Sequence, residues 1–122
     1  MSVRFAADPQ VLAPMRRMVN RWLQARGAQP SEVSALTLAC GEACANAIEH
    51  AYAPGLAYFE LEAVHEDGLV TLTVRDTGRW RGPRGVNRGR GLKMIEAAVD
   101  ELAVNTGEDG TELVMRHRLG PR

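Results

Sequence analysis

The chain has 122 residues, enough for one domain around a single core. Apolar residues make up 45% and charged residues 25%, and 15 basic side chains offset 15 acidic ones, so the neutral total argues against a nucleic-acid binder with its usual basic excess. No stretch is apolar enough to span a membrane, and no basic-then-apolar leader opens the sequence, so the expected location is the cytosol.

Val3 to Phe5 reads as a short strand. Asp8 followed by Pro9 reads as an N-cap and first helical residue. Val11, Leu12, Met15, Met18, Val19, Trp22 and Leu23 then share one helical face, and Gly27 ends that helix. Ser31 can cap a second helix that runs to about Tyr52 and stops at Pro54 and Gly55. Its apolar stripe is Leu36, Cys40, Ala43, Cys44, Ala47 and Ala51. Cys40 and Cys44 are the only cysteines, and their place in that stripe marks them as small core residues rather than a disulfide or metal framework.

Phe59, Leu61 and Ala63 alternate with Glu60 and Glu62, as a half-buried strand does. Asp67-Gly68 signals a hairpin turn, after which Val70, Leu72 and Val74 alternate with Thr71, Thr73 and Arg75. Residues 79 to 91 hold five arginines, four glycines and Pro83 with no acidic residue, and read as a loop. A third helix follows with Leu92, Ile95, Val99 and Leu102 inward. Leu102 to Thr106 and Thr111 to Leu119 read as two strands joined through Gly107-Glu108-Asp109-Gly110. The order is βααββ, loop, αββ. It predicts a single α+β domain over residues 1–122: a two-layer sandwich, its sheet mixed but mostly antiparallel, with helices on one face.

Three segments can carry chemistry. In the second helix, Glu42, Asn46 and Glu49 fall within an arc of about 60°, away from the apolar stripe. A carboxylate and an amide one turn apart can hold a metal ion or a water beside a phosphate, and Glu42 can accept a proton from an attacking hydroxyl. Periodicity alone favours an ordinary solvated helix face. Asp76-Thr77-Gly78 stands where a strand gives way to a loop. Its carboxylate can accept a hydrogen bond from an exocyclic amine such as that of adenine, and a plain turn is the other reading. Asn87-Arg88-Gly89-Arg90-Gly91-Leu92 opens the third helix, where exposed backbone N–H groups suit phosphate and where a solvated loop is equally consistent. A nucleic-acid reading of the arginines finds only one aromatic among them, Trp80.

Taken together the segments resemble a known family. Glu42-Ala43-Cys44-Ala45-Asn46-Ala47-Ile48-Glu49-His50-Ala51-Tyr52 resembles the N box of the GHKL (Bergerat-fold) ATPases, in the form carried by anti-sigma-factor serine kinases. Asp76-Thr77-Gly78 resembles the start of the next box, Gly89-Arg90-Gly91-Leu92 the glycine box that closes the ATP lid, and Gly110-Thr111 the late motif beside the adenine pocket. The four occur in the family's order across nearly the whole chain.

The resemblance implies ATP and Mg²⁺ as ligands. It implies Glu42 as general base and Asn46 as the Mg²⁺ ligand. Asp76 would meet the adenine amine, with Gly78 and Thr111 alongside, while Gly89, Gly91 and Leu92 would set backbone at the phosphates. It further implies two protein partners, an anti-anti-sigma protein phosphorylated on serine and a sigma factor held in check, with homodimers common in the family. His50 falls where packing or hydrogen bonding is its expected role. The chain departs from the family at Trp80, which stands where the second box carries its second glycine and resembles a variant of actinobacterial members. An alternative function is a binding module whose shape responds to nucleotide without phosphoryl transfer.

Overall fold

The computed structural model describes residues 1–49, 57–76, 88–107 and 110–120. The elements are β1 (Ser2–Ala6), a 3₁₀ turn (Pro9–Val11), α1 (Leu12–Ala25), α2 (Pro30–Glu49), β2 (Tyr58–Glu66), β3 (Leu69–Asp76), α3 (Arg88–Ala98), β4 (Glu101–Gly107) and β5 (Gly110–Arg118). The described strands form one sheet in the order β1-β2-β3-β5-β4. Sequence reading allowed for a mixed sheet, but every pairing is antiparallel. The reason is topological. The β2–β3 and β4–β5 hairpins fix two pairings, and the connection through α3 sets β4 beyond β5. The strands that run one way, β1, β3 and β4, therefore alternate with β2 and β5, and no two parallel strands are neighbours.

Alternation decides which face is covered. Phe59, Leu61 and Ala63 of β2, Val70, Leu72 and Val74 of β3, and Leu113 and Met115 of β5 are buried beneath the helices. Against them lie Met15, Val19 and Leu23 of α1, Leu36, Cys40 and Cys44 of α2, and Ile95 of α3, in one continuous core. Cys40 and Cys44 are free thiols with no exposed surface. The Cys40 hydrogen bond, then burial, push the Cys44 thiol well above its ordinary value. Such a thiol packs as a small apolar residue and does not react.

The opposite sheet face is polar. Arg4 meets Glu60 at 3.0 Å, Arg75 meets Glu112 at 2.7 Å, and Asn105 donates to Glu112 at 3.1 Å, a cross-strand ladder in register. These exposed pairs contribute about 0–1 kcal/mol each. Alternation places Thr73 on the outward face of β3. Yet only 5% of its surface is exposed, because β3 is central and the long side chains of its neighbours close over it.

Several boundaries differ from the sequence reading. Asp8 does cap, accepting from the Gln10 N–H at 2.9 Å, but it caps the 3₁₀ turn, and α1 proper begins at Leu12. The second helix starts at Pro30, so Ser31 lies inside it and is not its cap. Proline fits the first helical position, and Glu32 reaches back to accept from the Gln29 N–H at 3.1 Å, which is half of a capping box. Gly27 closes α1 at a φ of 86°, as expected. The stop at Pro54-Gly55 and the extension of α2 to Tyr52 lie outside the described residues. The third helix begins earlier than expected, at Arg88, so residues 88–91 form its first turn and not the end of a loop. Glycine is tolerated there because first-turn N–H groups have no partner within the helix.

Candidate functional site

Helix α2 is held between two helices. It packs against α1 on one flank and α3 on the other, over β2 and β3. Its buried stripe fixes its rotation, and that rotation turns Glu42 and Asn46 toward α3. Both side chains are half-buried, whereas Glu49, the third member of the polar arc, is exposed. The solvated-face reading thus fails for the first two and holds for the third.

The contact with α3 is made at Gly91, which is buried. A Cβ at this glycine would stand 3.5 Å from Glu42 Oε2 and 3.8 Å from both Asn46 Nδ2 and Oδ1. The first turn of α3 therefore lies directly beside a carboxylate and an amide. The unbonded N–H groups of such a turn attract anions. Glu42 and Asn46 supply oxygen ligands of the kind Mg²⁺ prefers. Leu92, next in the helix, is half-buried against the core and anchors the turn.

A second group of polar residues comes together at the end of the sheet. Register pairs Asp76 of β3 with Thr111 of β5, and Thr111 with Thr106 of β4. All three lie on the helix-covered face. Thr111 is 5% exposed, and its hydroxyl oxygen is buried without a hydrogen-bond partner. A buried hydroxyl left unpaired costs about 1–3 kcal/mol, so a water or a bound ligand that bonds it would stabilise the fold. Gly110 precedes it at a φ of 139°, a conformation that side chains resist. Beside this row is a hollow of about 270 Å³ lined by Arg75, Asp76, Asn105, Gly107, Gly110, Thr111 and Glu112. Its lining draws on both sheet faces, so it wraps around the strand ends.

Sequence reasoning passed over Asn105 and Gly107. No local signal marks them, since only the β4–β5 register brings them beside Asp76. Of the expected site residues, Glu42 and Asn46 meet at Gly91, while Asp76 and Thr111 meet across the β3–β5 ladder. Gly89 lies in the first turn of α3. Gly78, together with Thr77, Trp80 and His50, lies outside the described residues.

A carboxylate–amide pair set against a helix N-terminus, with an acidic strand end on the same sheet, is the layout of a nucleotide-binding α/β sandwich. The chain belongs to the histidine kinase-like ATPase domain family, whose model matches residues 5–117. Among solved structures it is similar to the RsbU and RsbW domains of Rv1364c from Mycobacterium tuberculosis. That match has a TM-score of 0.79 and 28% identity, and covers 100% of this chain and 33% of the other. The chain thus spans about a third of the length of that neighbour and is RsbW-like in fold. Among the described residues, no helix is long and apolar enough to cross a membrane.

Proposed function

We propose that this chain is a cytoplasmic, ATP-binding anti-sigma factor with protein-serine kinase activity. It phosphorylates an anti-anti-sigma protein and sequesters a sigma factor. The observation that carries the reading is the buried Gly91 at the head of α3, where an added Cβ would stand 3.5–3.8 Å from the Glu42 and Asn46 side-chain heads. The orphaned hydroxyl of Thr111 beside Asp76 adds a place for a ligand's polar edge. The residues present fit an ATP–Mg²⁺ ligand on both counts. When bound, ATP supplies the phosphoryl group and Mg²⁺ the charge that neutralises it.

The chain's own residues divide the remaining work. Asn46 would hold the metal through its amide oxygen. Asp76 would orient the base by accepting from its exocyclic amine, with Gly78 and Thr111 alongside. Gly89, Gly91 and Leu92 would present backbone N–H groups to the phosphates. Glu42 would orient the attacking serine hydroxyl and take its proton. Phosphoryl transfer asks a protein mainly to position reactants and stabilise charge, and this arrangement offers both.

The test separates binding from transfer. Glu42→Gln keeps the side chain's size and one acceptor oxygen but removes the basic carboxylate. The variant should bind ATP–Mg²⁺ with wild-type affinity in calorimetry, while serine phosphorylation of the partner falls about a hundredfold or more, the usual scale for a positioned base. Transfer at the wild-type rate removes Glu42 from the role. A second reading is favoured by Trp80, which stands where the second box of the family carries its second glycine. It is a binding module whose partner surface responds to nucleotide without transfer. A wild-type protein that binds ATP and transfers no phosphate to any cognate partner establishes that reading instead.

A further inference from the structure

The opposite flank of α2 carries a second feature that the nucleotide reading leaves unused. Gly41 sits in the middle of a 20-residue helix, where glycine is a poor helix former, and it is buried. The space its missing Cβ leaves is taken by the Arg16 guanidinium of α1, whose Nε would lie only 3.0 Å from such an atom. Gly41 is one residue from Glu42, and so about 100° around the helix axis from it. The two features therefore face different neighbours, α1 and α3.

Arg16 is one of three arginines that line a hollow of about 250 Å³ with Asn20 and Thr37. Arg17 and Arg21 lie one turn apart on the same helix face. Helix α1 contains no acidic residue, and among the described residues no carboxylate pairs with any of the three. The amide oxygen of Asn20 is occupied, accepting from Gln24 at 2.6 Å, which leaves its N–H₂ to offer. The Thr37 hydroxyl oxygen is buried and has no partner. The hollow is thus lined by donors, three of them cationic, with no counter-charge of its own. An acceptor-rich dianion answers every one of these groups, and planar guanidinium forks match its oxygens in pairs.

We infer that the Arg16–Arg17–Arg21 hollow between α1 and α2 is an oxyanion site that takes a phosphate group, separate from the nucleotide site on the α3 flank. It does not depend on kinase activity. Free phosphate and a phosphorylated serine present the same chemistry here.

The experiment follows backbone amide shifts by NMR in nucleotide-free protein at constant ionic strength. Inorganic phosphate, O-phospho-L-serine and L-glutamate are titrated in parallel. Phosphate should shift α1 and the Thr37 region, and the Arg17→Ala/Arg21→Ala double variant should weaken it about tenfold or more, since each charge-assisted contact carries roughly that factor. Asn46→Ala should leave it unchanged. Gly41→Ala, which displaces the Arg16 guanidinium, should weaken it as well. Tighter binding of phosphoserine than of phosphate assigns the source to a modified side chain, and the reverse order assigns it to the free ion; either supports the site. Shifts confined to the neighbourhood of Gly91, or equal binding of glutamate, overturn it. Melting curves provide the control. Like charges one turn apart repel, so without phosphate the double variant should melt no lower than wild type. A lower melting temperature marks a structural role for these arginines and overturns the proposal too.

Discussion

The helix-covered face of the sheet carries polar groups at both ends, and the two ends are finished differently. At one end, His117 of β5 sits 2.7 Å from Glu32 of α2, and Glu32 also accepts from the Gly120 N–H at 2.9 Å and the Gln29 N–H at 3.1 Å. The carboxylate is saturated by the chain itself. At the other end Thr111 is just as deeply placed, yet its hydroxyl has no partner, and a buried glycine on α3 leaves room at the heads of Glu42 and Asn46. The first arrangement closes around the Glu32 carboxylate and ties α2 to the last strand, although His117 Nδ1 is left without a hydrogen bond, 3.5 Å from Asp100 Oδ2. The second stays open and costs stability unless something else completes it. Polar burial by itself does not mark a site. An unpartnered hydroxyl at the strand ends, beside an acidic residue and an open hollow, does more to mark one.

If that contrast is right, substitutions at the open end should change ligand binding and spare stability. Asn46→Ala should have the largest effect, removing most ATP–Mg²⁺ binding in calorimetry with little change in melting temperature, because its half-buried head group faces Gly91 of α3 and not the core. Cys40→Ala should do the reverse, lowering the melting temperature and keeping the affinity, since its side chain is wholly buried. Equal loss of binding in the two variants would erase the distinction between site and core.

Next in size is base selection. If Asp76 accepts from the adenine amine, GTP offers it a carbonyl instead, and two facing acceptors cost about 1–3 kcal/mol. ATP should then be preferred over GTP by about tenfold to a hundredfold. Competition binding checks this, and equal affinities would remove Asp76 from base recognition. Gly91→Ala should have a smaller effect of a distinctive kind. Its methyl would stand 3.5 Å from Glu42 Oε2, an ordinary contact that the fold accepts but that occupies ligand space. Alanine is the better helix former by up to about 1 kcal/mol. The variant should therefore melt at or above wild type while binding ATP about tenfold more weakly. A variant that loses stability and affinity together would mean that Gly91 is needed for packing alone.

Much of this could be read from the sequence, for physical reasons that are local. Alternation in Phe59–Ala63 and Val70–Val74 names the covered sheet face, and Asp67-Gly68 adopts the turn conformation its composition demands, with φ values of 51° and 79°. The spacing of Glu42 and Asn46 puts them on one helix face whatever the tertiary fold. What they face is a long-range matter. The approach of Gly91, the Asp76–Thr111 pairing and the Asn105–Gly107 rim depend on β3–β5–β4 register, which no short window contains. The cap of α2 was misassigned for a smaller reason. Ser31 is a good cap by type, but Pro30 before it and Glu32 after it move the helix start one residue earlier.

The last prediction concerns the closed end, and it should show the smallest effect on function. Glu32 lies between opposing influences. Burial raises its pKa, but hydrogen bonds from the Gly120 N–H, His117 and the Gln29 N–H lower it further, and the net result sits below the ordinary value of 4.5. A carboxylate with a depressed folded-state pKa stabilises the fold above its unfolded-state pKa. That stabilisation fades as the pH falls through the lower, folded-state value. Glu32→Gln removes it while keeping the side chain's size. The variant should be less stable than wild type by about 1–2 kcal/mol between pH 5 and 8, the scale of losing charged hydrogen bonds. The gap should narrow as the pH drops below about 4, because wild type loses the same charge there. Denaturant melts across that range measure it directly. ATP affinity should be unchanged at every pH where both proteins are folded. A stability gap independent of pH would assign the effect to packing, and a loss of nucleotide binding would show that the two ends of the sheet are coupled and not finished separately.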